Sequence, residues 1–151
     1  MNYKKWILLV CCIGLLLLAA CKNNIVEASP APLLEGSFNY TAYDSLGTIV
    51  AQGIIFFEIQ DTTNIAGEWE ISKVGDPQSI GPQIGEGRLI GKLSGETFWV
   101  ALNPDVVDNN VFLQGKSEKN KYTGKWEWIT EAGPTNWGIF TVEKIISIEK
   151  I

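Results

Sequence analysis

A single all-β domain, folded as an eight-stranded antiparallel up-and-down barrel, is the architecture predicted by this 151-residue chain from residue 35 onward. Three observations predict it. The hydrophobic period there is two rather than 3.6. The alternating runs number eight, most of them joined by short turns rich in Gly, Asn and Asp. Glycines also interrupt the runs themselves (Gly53, Gly67, Gly91, Gly115, Gly124 and Gly138), as the bends and bulges of a small, tightly curved sheet require.

In the first run, Phe38, Tyr40 and Ala42 alternate with Ser37, Asn39 and Thr41. A turn at Ser45-Leu46-Gly47 leads into a second run from Thr48 to Gln60, with Ile49, Ala51, Gly53, Ile55, Phe57 and Ile59 expected on one face. After Asp61-Thr62-Thr63-Asn64, the third run sets Ile65, Gly67, Trp69 and Ile71 against Glu68, Glu70 and Ser72, the pattern of a half-buried strand. Leu89, Gly91 and Leu93 mark the fourth run, and Phe98, Val100 and Leu102 the fifth after the Ser94-Gly95 turn. Val111, Leu113 and Gly115 mark the sixth, Tyr122, Gly124, Trp126 and Trp128 the seventh, and Gly138, Phe140 and Val142 the eighth. No segment carries a convincing amphipathic helix.

Eight consecutive hairpin-linked strands leave two unpaired edges unless the sheet closes on itself. Closure suits the number, because eight strands enclose a packed interior or one small ligand. A two-sheet β-sandwich is the alternative, since strand count alone does not separate the two.

The first twenty residues read differently. Lys4 and Lys5 precede fifteen uncharged residues from Trp6 to Ala20, a length that suits a signal-peptide core and falls short of the ~20 residues of a membrane-spanning helix. Leu18-Ala19-Ala20-Cys21 closely resembles the lipobox of bacterial lipoproteins. That resemblance implies cleavage before Cys21, a diacylglyceryl group on its sulfur, and anchorage to a membrane of the bacterial cell envelope outside the cytoplasm. At ~0.8 kcal/mol per buried methylene, two or three acyl chains hold stably where one holds marginally. An ordinary cleaved signal or a retained helix is the alternative, but a small-residue cleavage site alone would not require a cysteine directly after it. Residues 21–34 then form a tether, in which Ser29-Pro30-Ala31-Pro32 favours extended backbone, and residues 35–151 form the barrel domain.

Composition narrows the function. Cys11 and Cys12 lie in the leader, so the cleaved chain keeps Cys21 alone and has neither an internal disulfide nor a thiolate zinc site. The sequence contains no histidine, which removes the commonest general base and excludes Ser-His-Asp and Cys-His hydrolases. Without Lys4 and Lys5 the net charge is −7, ten basic residues against 17 acidic, a sign that repels nucleic acid and anionic headgroups. No cofactor is implied. The Asp105, Asp108, Asn109, Asn110 turn lacks the spacing and turn glycine of an EF-hand loop.

Two strands share a short echo: Gly67-Glu68-Trp69-Glu70 and Gly124-Lys125-Trp126-Glu127 both read G-x-W-E. The G-x-W element resembles that of lipocalins and avidins, where it implies a tryptophan plugging a barrel. It departs from the lipocalin pattern by falling in the third and seventh strands instead of the first. Trp69 and Trp126 also read simply as large core residues. Trp69, Trp99, Trp126, Trp128, Trp137 and Tyr122 are the candidate ligand-binding residues, because flat amphipathic faces suit a small apolar or glycan-like ligand. Trp99 and Trp137 fall opposite the apolar stripe of their strands, where a core does not need them. The irregular segment Val74 to Gly85 is long enough to be a binding loop at a barrel mouth, with a crossover of no further role as the bland alternative.

A non-enzymatic binding module is therefore expected. Its competitor is an interaction or inhibitor protein with a filled barrel that docks on an envelope protein. A carboxylate hydrolase using Glu68, Glu70 or Glu127 ranks third, since alternation turns all three to the polar side.

Overall fold

The computed structural model describes residues 35–118 and 121–145. The leader, Cys21 and the tether through residue 34 lie outside the described residues. Eight strands follow one another: β1 (Gly36–Tyr43), β2 (Ile49–Ile59), β3 (Asn64–Lys73), β4 (Gly85–Ser94), β5 (Thr97–Ala101), β6 (Asn109–Glu118), β7 (Lys121–Thr130) and β8 (Gly133–Lys144). Each pairs antiparallel with the next, and β8 returns to β1 from Phe38↔Lys144 to Tyr43↔Ile139. That last ladder closes the barrel, so the sheet has no free edge and the sandwich alternative falls.

Strand direction sorts the connections. The β1–β2, β3–β4, β5–β6 and β7–β8 loops share one end, here the loop end. The chain enters β1 at Gly36 on the other end.

The interior is made of rings. Phe38 meets Phe57 at 5.5 Å and Tyr122 at 6.0 Å between centroids, and Phe98 meets Tyr122 at 5.2 Å and Phe140 at 5.8 Å, all edge-to-face. This arrangement sets the positive edge of one ring against the negative face of the next and adds about 0.5–1.5 kcal/mol per pair beyond area burial. Ile55, Leu89, Val100, Leu113 and Val142 fill the gaps.

The second strand departs from strict alternation. Ile49, expected inside, is 37% exposed, while Val50 and Ala51 are consecutively buried. Pairing jumps from Ala42↔Ala51 to Tyr43↔Ile49, so Val50 is an extra residue in a bulge that reverses the phase behind it. The backbone oxygen of Val50 accepts the Val74 N–H at 3.0 Å and fixes the start of the β3–β4 loop.

Close approach of strands explains Gly138. A Cβ there would overlap the Tyr43 carbonyl oxygen and sit 2.6 Å from Trp126 Nε1. The sequence pattern suggested bends; the packing shows a missing side chain that lets one strand and one indole through.

The turns are built by carboxylates. Asp61 accepts N–H groups of Thr63 and Asn64, each at 2.8 Å, and the Asn64 amide at 2.6 Å. Asp44 accepts Leu46 N–H and Thr48 N–H. Both carboxyls are pulled below their ordinary value chiefly by these backbone donors, Asp61 to about 2. Because the folded value is depressed, the Asp61 contribution is complete above the ordinary value of 3.8 and fades as pH falls through about 2. Carboxyl-detected NMR is expected to place the Asp61 midpoint near 2; a midpoint at the ordinary value would contradict the turn geometry.

Candidate binding site on the outer face

The aromatic candidates separate into two groups. Trp126 is fully buried, and Trp69 and Tyr122 are nearly so. Trp126 Nε1 donates to Tyr43 O at 2.8 Å, and Trp69 Nε1 donates to Leu102 O at 2.6 Å and more weakly to Arg88 O at 3.3 Å. The two G-x-W-E elements thus place equivalent indoles, each tying its strand to a carbonyl elsewhere in the chain. The Tyr122 hydroxyl bonds Ser117, and burial pushes its phenol above the ordinary range. Trp128 stands at the loop end, half-buried, with Nε1 donating to Asn109 Oδ1 at 2.7 Å.

Phe57, Phe98, Phe140, Leu113 and Trp126 have no accessible surface at all. A void large enough for water beside any of them would expose part of it. At these side chains the barrel is filled.

Trp99 and Trp137 are the outward group, 41% and 45% exposed. Cross-strand register puts Trp99, Gln114, Lys125 and Ile139 in one row across β5–β8, and Phe112, Glu127 and Trp137 in the next. Trp99 stacks on Phe112 with centroids 5.2 Å apart and planes at 22°. Lys125 Nζ lies 2.7 Å from Glu127 Oε1 and 5.3 Å from the centre of the Trp137 ring. Trp99 on β5 and Trp137 on β8 are three strands apart and lie in successive rows of the curved sheet. The cleft of about 280 Å³ between β5 and β7 is lined by Trp99, Phe112, Gln114, Lys125, Glu127 and Ile129.

Its chemistry is specific. The Trp99 and Phe112 pair forms an apolar platform. Beside it, Gln114 offers a carbonyl and an amide, and the Lys125–Glu127 pair leaves the floor without net charge on a chain that is acidic overall. Phe112, Gln114, Ile129 and Lys125 were missed as site residues by sequence reasoning, which named Glu127 only as a candidate hydrolase carboxylate. Phe112 carried a signal: within Val111-Phe112-Leu113 the middle apolar residue of an alternating strand must point outward.

A larger cleft of about 540 Å³ crosses the outside of β2–β4, lined by Ile54, Phe56, Glu68, Glu70, Glu86, Arg88 and the Trp69 edge beneath Gly87. There Glu70 lies directly opposite Glu86, two like charges, and no pair of aromatic faces forms a platform. Volume favours this cleft and chemistry favours the smaller one; the smaller is the better candidate because it offers matched stacking and hydrogen-bonding groups. Glu70 on β3 and Glu127 on β7 stand on opposite sides of the barrel, four strands apart in either direction, so they do not face one cleft as a glycosidase pair would.

No family model matches the chain, and no curated protein matches it. Among solved structures it is similar to the crystal structure of rhizavidin, at TM-score 0.48 and 17% identity over 76% of this chain and 86% of that one. The crystal structure of the rhizavidin–biotin complex is similar at TM-score 0.46 and 17% identity, over 73% and 100%. The structure of EF1p2_mFAP2b bound to DFHBI is similar at TM-score 0.47 and 14% identity, over 77% and 97%. The fold assignment itself rests on the strand pairing of this chain, a closed eight-stranded antiparallel barrel.

Proposed function

We propose that the chain is a lipid-anchored lipoprotein of the bacterial cell envelope and a non-enzymatic binding module, taking a neutral glycan-like ligand in the Trp99–Glu127 cleft. The observation that carries this reading is the exposed aromatic platform beside a charge-balanced polar floor, on a barrel whose interior is occupied by its own side chains. A sugar ring has an apolar C–H face that stacks on an indole and edge hydroxyls that bond amides and carboxylates. Glu127 and Gln114 would take the hydroxyls, Trp99 would stack on a ring, and Trp137, beside Lys125, would bound the cleft at its β8 side.

Anchorage at Cys21 fits the same reading, because the chain enters the barrel at Gly36, on the end away from the long loop. That leaves the loop end and the side cleft free of the membrane. Labelling with a palmitate analogue is expected in the native chain and absent from Cys21→Ser; equal labelling would refute the anchor.

Binding is tested by titrating neutral oligosaccharides (chitohexaose, cellohexaose, maltohexaose) calorimetrically. At least one is expected to bind, with Trp99→Ala and Trp137→Ala each weakening it about ten-fold or more while melting changes little. A second reading, a docking face for an envelope protein, is favoured by the exposed Ile139 beside Trp137. Its signature is no oligosaccharide binding, together with a Trp99-dependent cross-link to an envelope protein in cells.

A further inference from the structure

The loop end of the barrel is closed by the chain itself. Segment 74–84 folds over the mouth and inserts Gln83, which has no accessible surface, along with Ile80. Gln83 Oε1 accepts the Tyr40 hydroxyl at 2.8 Å, and its Nε2 donates to Ile80 O at 2.7 Å. An amide in an apolar interior is costly unless both its ends are bonded, and here both are. The Tyr40 phenol is equally buried, which raises it well above its ordinary range, and this carboxamide is the acceptor its hydroxyl uses.

The rest of the segment is lightly built. Gly81, at φ +68°, lies flat on the Trp128 indole, where a Cβ would come within 2.5 Å of Cγ. Ser79 takes a left-handed φ of 56° without being glycine. The rim holds the segment by three side-chain contacts: Asn103 Nδ2 donates to Pro82 O and Asn136 Nδ2 to Ser79 O, each at 2.7 Å, and the exposed Lys73 Nζ donates to Asp76 Oδ1 at 3.3 Å. None of its residues belongs to the closed ladder of eight strands.

We infer that Tyr40 and the floor of the loop end form a latent site for a compact ligand bearing a carboxamide, and that Gln83 occupies it from within the chain. Withdrawal of segment 74–84 leaves the eight-strand ladder intact, gives up the Val74 N–H to Val50 O bond at its root, uncovers Trp128 and orphans the Tyr40 donor. A ligand that presents a carbonyl acceptor beside an N–H donor replaces what Gln83 supplied. Its apparent affinity is lowered by the fraction of chains in which the segment stays seated. This site is separate from the Trp99 cleft and stands whether or not that cleft binds glycans.

Propionamide reproduces the end of the glutamine side chain and is the probe. In full-length Gln83→Ala, propionamide is expected to raise Tm saturably. Adding Tyr40→Phe weakens that response about ten-fold, through loss of the hydroxyl donor. The native chain, its slot already filled, gives no saturable rise. No rise in Gln83→Ala, or an equal rise with Tyr40→Phe, overturns the site. A second variant, with residues 76–83 replaced by three glycines, is expected to keep its β-sheet circular dichroism and a cooperative melt. Failure of either variant to fold would place the segment in the core and overturn the inference as well.

Discussion

Replacing Trp126 with alanine is expected to destabilise the barrel by about 3–5 kcal/mol, on the order of a third of the stability of a small domain. Three losses combine. The indole is the largest fully buried side chain among the described residues, so its removal opens a void among residues that show no accessible surface. Its Nε1–H no longer satisfies Tyr43 O, a carbonyl next to the bulge where β1 and β2 change register. The close passage of β8 at Gly138 also loses the ring it was shaped around. A fall in Tm of roughly 10–25 °C is the corresponding thermal readout. Trp99→Ala, on the outside, is expected to move Tm by no more than a few degrees. Equal effects from the two would contradict the division of the tryptophans into interior and exterior sets.

Gly138→Ala is expected to cost about 3 kcal/mol, the upper part of the range for overpacking. Most overpacked sites relax by turning a flexible side chain aside. Here the added methyl meets the Tyr43 carbonyl oxygen, which belongs to the neighbouring strand and cannot swing away without breaking the ladder. The second obstacle, the Trp126 ring, is removable. In a Trp126→Ala background the alanine is therefore expected to cost less than it does alone, and the double variant less than the two single effects added. Urea melts of the four chains give the coupling directly. Strict additivity would show that Gly138 and Trp126 do not share the contact.

Much of the architecture was legible because a barrel strand declares itself twice, by alternation and by its turn. Tyr122, Trp126, Phe140 and Val142 all fell inside as the period of two requires, and Trp99, Trp137 and Ile139 fell outside. Val50 was not legible. A bulge of one residue between two apolar neighbours leaves no compositional mark, and its phase shift appears only once β1 supplies the register. The outer cleft was half legible. Two tryptophans on the wrong face announced a surface role, but Gln114, Lys125 and Glu127 join them only through cross-strand pairing across β5–β8, which no single run of sequence contains.

The β3–β4 loop shows the opposite failure. Its sequence read as an irregular segment, long enough to be a binding loop at a barrel mouth, and the segment does lie over the mouth. Nothing local marks Gln83 as buried, because what makes its burial tolerable is the Tyr40 hydroxyl, contributed by a different strand 43 residues earlier. A polar residue becomes interior when its partner is already there, and partners distant in sequence are invisible until the chain closes.

The most direct test of a filled barrel that binds on its outer face is to follow the tryptophan indole N–H signals by NMR while titrating the tightest-binding oligosaccharide. The Trp99 and Trp137 signals are predicted to shift, with those of Trp69 and Trp126 staying in place against their carbonyl acceptors. Shifts at Trp69 and Trp126 with Trp99 unmoved would put the ligand inside the barrel and contradict the outer site.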